Sequence, residues 1–145
     1  SAYVPLGWNV GATPDGRYAG EPLADTIAPI NGVDIKGPTA THKSAAKLDT
    51  LRITDGVIFN HRFSLGAVST EADLYKWAAL LRTYFDMGGL EVSYMVSNKD
   101  TLLDAQKNPE KYPGLIVRVA GYSAFFVELS KEVQDTIINR TEHTW

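Results

Sequence analysis

The stretch Arg118-Val119-Ala120-Gly121-Tyr122-Ser123-Ala124-Phe125-Phe126 is apolar on both sides of a single glycine. Without Gly121 it would continue the strand pattern that begins at Leu115-Ile116-Val117. By pattern alone, a glycine at such a place marks a bulge or a close approach of another backbone.

Outward from this stretch, helices alternate with strands. On the C-terminal side a helix starts at Ser130, carries Glu132 in its first turn, and sets Val133, Ile137 and Ile138 inward. On the N-terminal side, Ser97 or Asn98 caps a helix bearing Leu102, Leu103 and Ala105 that ends before Pro109. Leu90 to Val96 reads as a half-buried strand with Val92, Tyr94 and Val96 on one side. Before it, Leu74, Trp77, Ala78, Leu81, Tyr84 and Phe85 recur at steps of three and four. They share one face of a helix capped by Ser69 or Thr70 and stopped by Gly88-Gly89. The alternation points to an α/β fold, although three short strands make a poor independent sheet.

The first forty residues differ in kind. Five prolines and six glycines lie between Pro5 and Pro38, a density that breaks helices and forces turns. Residues 1–68 are therefore expected to be loop-rich, with a short helix over Thr39 to Leu48 and a short buried strand at Val57-Ile58-Phe59. The ordered elements fall in 69–145, and all 145 residues form one domain.

Composition excludes several classes of function. Fourteen Lys and Arg against seventeen Asp and Glu, a net charge of -3 with no one-signed stretch, argue against nucleic acid as a partner. No window has the roughly 20 apolar residues of a membrane span, and the first residues do not form a signal peptide, so a cytoplasmic location without a membrane partner is expected. Cysteine is absent, which removes disulfides, thiolate metal sites, iron-sulfur ligation and any cysteine nucleophile or thiyl radical from this chain. His42, His61 and His143 lack the short spacings of metal ligands and read as surface or hydrogen-bonded histidines. Gly32-Val33-Asp34-Ile35-Lys36-Gly37 is not a phosphate loop, and Asn139-Arg140-Thr141 matches a glycosylation acceptor only incidentally. Thr13-Pro14-Asp15-Gly16-Arg17 is a tight turn by local chemistry, yet a turn alone does not call for Arg17.

Taken together, these segments resemble the glycyl radical enzymes. Arg118-Val119-Ala120-Gly121-Tyr122 is similar to the family's radical-bearing loop. Gln134 and Ile137-Ile138-Asn139-Arg140-Thr141-Glu142-His143 resemble its C-terminal helix. Thr101-Leu102-Leu103-Asp104-Ala105-Gln106 and Pro109-Glu110-Lys111-Tyr112 resemble the approach to the loop. Ala12 to Arg17, Glu21 to Asp25, Gly37 to Ala40 and Lys43-Ser44 resemble the preceding segments in the same order. Ala120 and Ser123 look more like the dehydratase, decarboxylase and carbon-heteroatom lyase branch than like pyruvate formate-lyase. One departure is Ser93-Tyr94-Met95, where relatives commonly carry Gln-Phe-Asn.

The resemblance implies an α/β fold forming the C-terminal portion of a ten-stranded α/β barrel that a partner chain completes. It places the radical on Gly121, with Arg118, Tyr122, Asp15 and Arg17 supporting the loops. A carbon radical between an amide nitrogen and a carbonyl is delocalised by both only if its α-carbon can flatten, which an absent side chain allows. Val119, Tyr122, Phe125 and Phe126 are expected to shield it from water and dioxygen. The resemblance further implies a large cysteine-containing subunit that forms the thiyl radical, and a separate S-adenosylmethionine and 4Fe-4S activating enzyme. No cofactor is then bound by this chain itself. The favoured expectation is the small subunit of a split enzyme. The alternatives are a spare part that restores an oxygen-damaged enzyme, or an excised piece of a longer one, for which Ser1-Ala2 in place of a starting Met speaks.

Overall fold

The computed structural model describes residues 2–145, so Ser1 of the opening Ser1-Ala2 lies outside the described residues. The chain begins with a short helix α1 (Tyr3–Gly7), follows turns through the proline- and glycine-rich segment, and enters α2 (Pro38–Ala45) with Pro38 in its first turn. The central unit is strand β1 (Asn60–Phe63), helix α3 (Glu71–Asp86) and strand β2 (Ser93–Val96). Then come α4 (Lys99–Lys107), β3 (Ile116–Arg118), β4 (Ser123–Phe125), α5 (Lys131–Asn139) and β5 (Glu142–His143).

Strands β2, β1 and β5 form a parallel sheet in that order, with His61 opposite Tyr94, Arg62 opposite Met95 and Phe63 opposite His143. Parallel strands joined by helical crossovers are covered on both faces, and all four residues of β1 are buried. On one side Phe63, Ala67 and Leu80 pack with Trp77 and Tyr94. On another, Met95, Leu102, Ala105, Val117, Val119, Phe126, Ile137 and Ile138 join α4, the β3-β4 hairpin and α5. Phe59 and Tyr84 meet Ala28 and Ala45 in a third cluster.

Helix α3 starts with a capping box in which the Thr70 side chain accepts from the Asp73 amide and the Asp73 carboxylate from the Thr70 amide. It stops where Gly88 takes φ of 89° and the Gly89 backbone passes beneath the Tyr84 ring.

Four sequence expectations need correction. Val57-Ile58-Phe59 is not a strand; the strand lies at Asn60–Phe63, because the Ile58 carbonyl accepts from the Ile27 amide and the Thr26 hydroxyl while Phe59 plugs into the Tyr84 cluster. The apolar stripe of α3 is only partly used: Tyr84 is buried, but Leu74 is 51% and Phe85 47% exposed, since the small sheet underlies only a narrow strip of the helix. At strand β2 Val92 and Tyr94 are half-buried as expected, but Val96 is not inward with them. Tyr94 and Met95 face two different clusters, and Val96 is exposed. Lastly, Gly121 is not a bulge in one strand, because β3 and β4 pair antiparallel, Arg118 opposite Ser123, with Gly121 in the connecting turn.

Candidate functional site

The β3-β4 turn is closed by the Val119 amide donating to the Tyr122 carbonyl at 2.9 Å. Gly121 is absent from the residues with left-handed backbone, so the turn does not demand glycine on conformational grounds. Its α-carbon faces Ile58, whose Cδ1 lies 2.7 Å from the position a β-carbon would occupy.

Three consecutive carbonyls before Gly121 are held by side chains from distant elements. Arg140, at the C-cap of α5, donates through Nη1 to the Arg118 carbonyl and through Nη2 to the Val119 carbonyl, both at 2.9 Å. Asn60 on β1 donates through Nδ2 to the Ala120 carbonyl at 3.2 Å and to Asp25 Oδ2 at 2.7 Å. Asp25 Oδ2 also accepts from Arg140 Nη2 at 3.2 Å, which ties the two donors together. All three side chains are buried. Desolvation raises the Asp25 carboxyl above its ordinary value, against the opposing pull of Asn60 and Arg140.

Sequence reasoning assigned no role to Asn60, Asp25 or Arg140. The available signal was a charged Arg140 two residues after the inward Ile137-Ile138 pair, a place where a solvated side chain is not expected.

Arg118 pairs outside the hairpin, with Nη2 3.7 Å from Glu91 Oε1. Glu91 Oε2 in turn accepts from the Phe59 amide at 3.4 Å. Arg17 and Asp15 sit elsewhere, on the loop-rich segment. Buried Arg17 donates through Nη1 to the Glu21 carbonyl at 2.7 Å, and through Nη2 to the carbonyls of Val10, at 3.3 Å, and Gly11. Exposed Asp15 is held below the usual carboxylate range by the Thr13 hydroxyl and its own backbone amide. The turn is closed by the Gly16 amide on the Thr13 carbonyl at 3.1 Å. Arg17, Asp25, Asn60, His61, Arg62 and Arg140 line one cleft of about 1210 Å³.

Two expectations about this region are corrected. Gly121 is exposed, as are Tyr122 at 45% and Phe125 at 41%; only Val119 and Phe126 are buried, because their side chains point into the α4-α5 core. Shielding of Gly121 therefore does not come from its own hairpin. Secondly, of the two readings of the histidines, surface or hydrogen-bonded, the surface one fails and the hydrogen-bonded one holds for His42 and His143. All three are buried, the His42 and His61 rings lie 4.4 Å apart, and those of His61 and His143 lie 4.9 Å apart, because β1 and β5 are paired and α2 sets His42 against β1. His42 bonds the Pro38 carbonyl and the Tyr94 hydroxyl, each at 2.8 Å, and His143 Nε2 lies 2.8 Å from Asp34 Oδ2. Burial holds His42 down to about 4 and His61 well below its ordinary value. Among the described residues no group of three or more His, Asp or Glu side chains is arranged to hold a metal ion, and no helix is long and apolar enough to cross a membrane.

Comparison with known proteins bears directly on the hairpin. A family model described as glycine radical matches residues 23–127, which include Gly121 and both strands of the hairpin. The chain is 48% identical over 144 residues to the probable dehydratase YbiW of Escherichia coli, covering 99% of this chain and 18% of that protein. It is 45% identical over 145 residues to the trans-4-hydroxy-L-proline dehydratase of Clostridioides difficile, covering 100% and 18%. The solved structure of the B12-independent glycerol dehydratase of Clostridium butyricum superposes with a TM-score of 0.95 at 49% identity, over 99% of this chain and 18% of that one. The chain thus spans under a fifth of the length of these relatives and has the α/β fold of the corresponding region. It belongs to the glycine radical family, in the branch of glycyl radical dehydratases and lyases.

Proposed function

We propose that this chain is the radical-storing small subunit of a split dehydratase- or lyase-type glycyl radical enzyme, with Gly121 as the radical site. The observation that carries the reading is the hairpin itself. A glycine that backbone conformation does not require sits at an exposed turn, directly after three carbonyls fixed by buried donors. Such a carbon has no side chain to obstruct flattening and is reachable from outside the chain.

In this reading a hydrogen atom is first removed from the Gly121 α-carbon by a separate S-adenosylmethionine and 4Fe-4S activating enzyme. With no cysteine, this chain offers no thiolates for such a cluster. The radical carbon then takes the hydrogen atom of a cysteine S–H group on the large subunit. One C–H bond forms, one S–H bond breaks, and the spin passes to sulfur without movement of charge. The reverse transfer restores the glycyl radical after turnover. The large subunit supplies the cysteine, the substrate pocket and the surface that covers Gly121, Tyr122 and Phe125. The relatives' dehydratase names make a small hydroxylated molecule the favoured substrate class.

The test is copurification of the chain with a family-related large subunit, anaerobic activation, and electron paramagnetic resonance. A carbon-centred doublet from the one remaining α-hydrogen is expected, and it should collapse when α-deuterated glycine is incorporated. A doublet unchanged by that label would refute the site. A cysteine found in the same polypeptide, with no second chain copurifying, would refute the split arrangement and leave the site standing.

A further inference from the structure

Resting on that assignment of Gly121, we propose that Arg140 and Asn60, oriented by Asp25, are positioning residues: they fix the peptide planes before Gly121 and so determine how much radical the turn holds and how long it persists. The two donors come from elements far apart in sequence, one from β1 and one from the end of α5, yet they converge on the consecutive carbonyls of residues 118, 119 and 120. A guanidinium that is only 7% exposed is rotamer-locked and desolvated, so its hydrogen bonds are stronger and more directional than those a solvated turn makes with water.

The chemistry of the glycine explains why this matters. The Ala120 carbonyl belongs to the peptide group whose nitrogen is bonded to the Gly121 α-carbon. Once that carbon loses a hydrogen atom, spin spreads to the nitrogen only where this peptide plane aligns with the p orbital of the carbon. Asn60 holds the plane by its oxygen, and Arg140 holds the two planes before it. The N-terminal side of Gly121 is thereby held by three hydrogen bonds.

The experiment compares wild type, Arg140→Lys, Arg140→Gln and Asn60→Ser in the assembled complex. It measures spins per docked complex after complete anaerobic activation, the anaerobic half-life of the signal, its line shape, and amide exchange across residues 116–126. Loss of one charge-assisted bond should speed exchange at Gly121 to Ser123 about tenfold. The spin count should fall several-fold, and the line should broaden from the spread of plane angles. Arg140→Lys, which keeps the charge, should fall between wild type and Arg140→Gln. Wild-type spin count, half-life and exchange in docked variants would overturn the proposal. So would a loss of spins only in proportion to a loss of docked complex, which is the signature of a purely structural role. Should the Arg140 variants fail to fold, Asn60→Ser removes a single neutral bond and decides by the same readouts. Gly121→Ala separates the two readings. If it keeps the signal, the radical assignment falls; if it is silent while the clamp variants behave as wild type, only the clamp falls.

Discussion

The terminal methyl of Ile58 lies 2.7 Å from where a β-carbon on Gly121 would stand. Since Gly121 lies outside the left-handed region, this contact is the main packing resistance to a side chain there. Gly121→Ala should therefore lower stability by about 1 kcal/mol, the low end of overpacking, because the obstructing atom is the end of a flexible side chain. Docking should persist and the radical signal should vanish. Ile58→Val added to Gly121→Ala should recover the stability without the signal, as read by thermal unfolding and electron paramagnetic resonance on the same samples.

Air admitted to the activated complex should cut the backbone at Gly121. Mass spectrometry should find a long N-terminal piece and a short piece beginning near Tyr122. Intact chain after complete loss of the signal in air would contradict the assignment.

Arg17 ties the carbonyls of Val10, Gly11 and Glu21 together through one buried guanidinium. Arg17→Ala leaves those acceptors unpaired, at a loss of about 2 to 3 kcal/mol. Hydrogen exchange over residues 10–21 should accelerate and docking should weaken, while spins per docked complex stay normal. Normal docking and normal spin yield with lost turnover would instead make Arg17 a substrate contact.

Burial holds His42 at about 4 and His61 well below 6.5, whereas both titrate near 6.5 in the unfolded chain. Between these values the unfolded state binds more protons. Stability is therefore full above pH 6.5 and declines as pH falls toward 4, by about 3 kcal/mol from His42 alone. Denaturant midpoints of the complex from pH 8 to pH 4 should trace this decline, and His42→Gln should flatten it. An unchanged slope in His42→Gln would show that other groups govern the acid limb.

Leu74, Phe85, Tyr122, Ile116 and Phe125 leave broad apolar surface exposed. Without the large subunit proposed above the chain should unfold over a broad range and self-associate, and binding of that subunit should sharpen and raise the transition by mass action. A sharp, concentration-independent transition of a monodisperse monomer would contradict the split reading.

What the sequence determined by itself is the part of the molecule governed by local patterning. The helix from Thr70 to the Gly88-Gly89 stop follows from its capping box and glycine breakers, and the α4 and α5 helices, whose Asn98 and Ser130 form no side-chain cap, and the Ile116–Arg118 strand follow from breakers and periodicity, all of which act within a few residues. Family membership was also legible, because the motif around Gly121 and its flanking segments are written in residue types. Only the tertiary structure decided the rest. The strand at Asn60–Phe63 carries three polar residues that no hydrophobic pattern marks as buried; they are buried because β2 and β5 flank that strand and Arg140 and Asp25 meet it. Pairing of β3 with β4, exposure of Gly121, and the convergence of Asp25, Asn60 and Arg140 over 115 positions of sequence are non-local facts. Hydrogen bonds to backbone carbonyls leave no residue-specific mark on the accepting side, so Arg118, Val119 and Ala120 could not announce the donors that hold them.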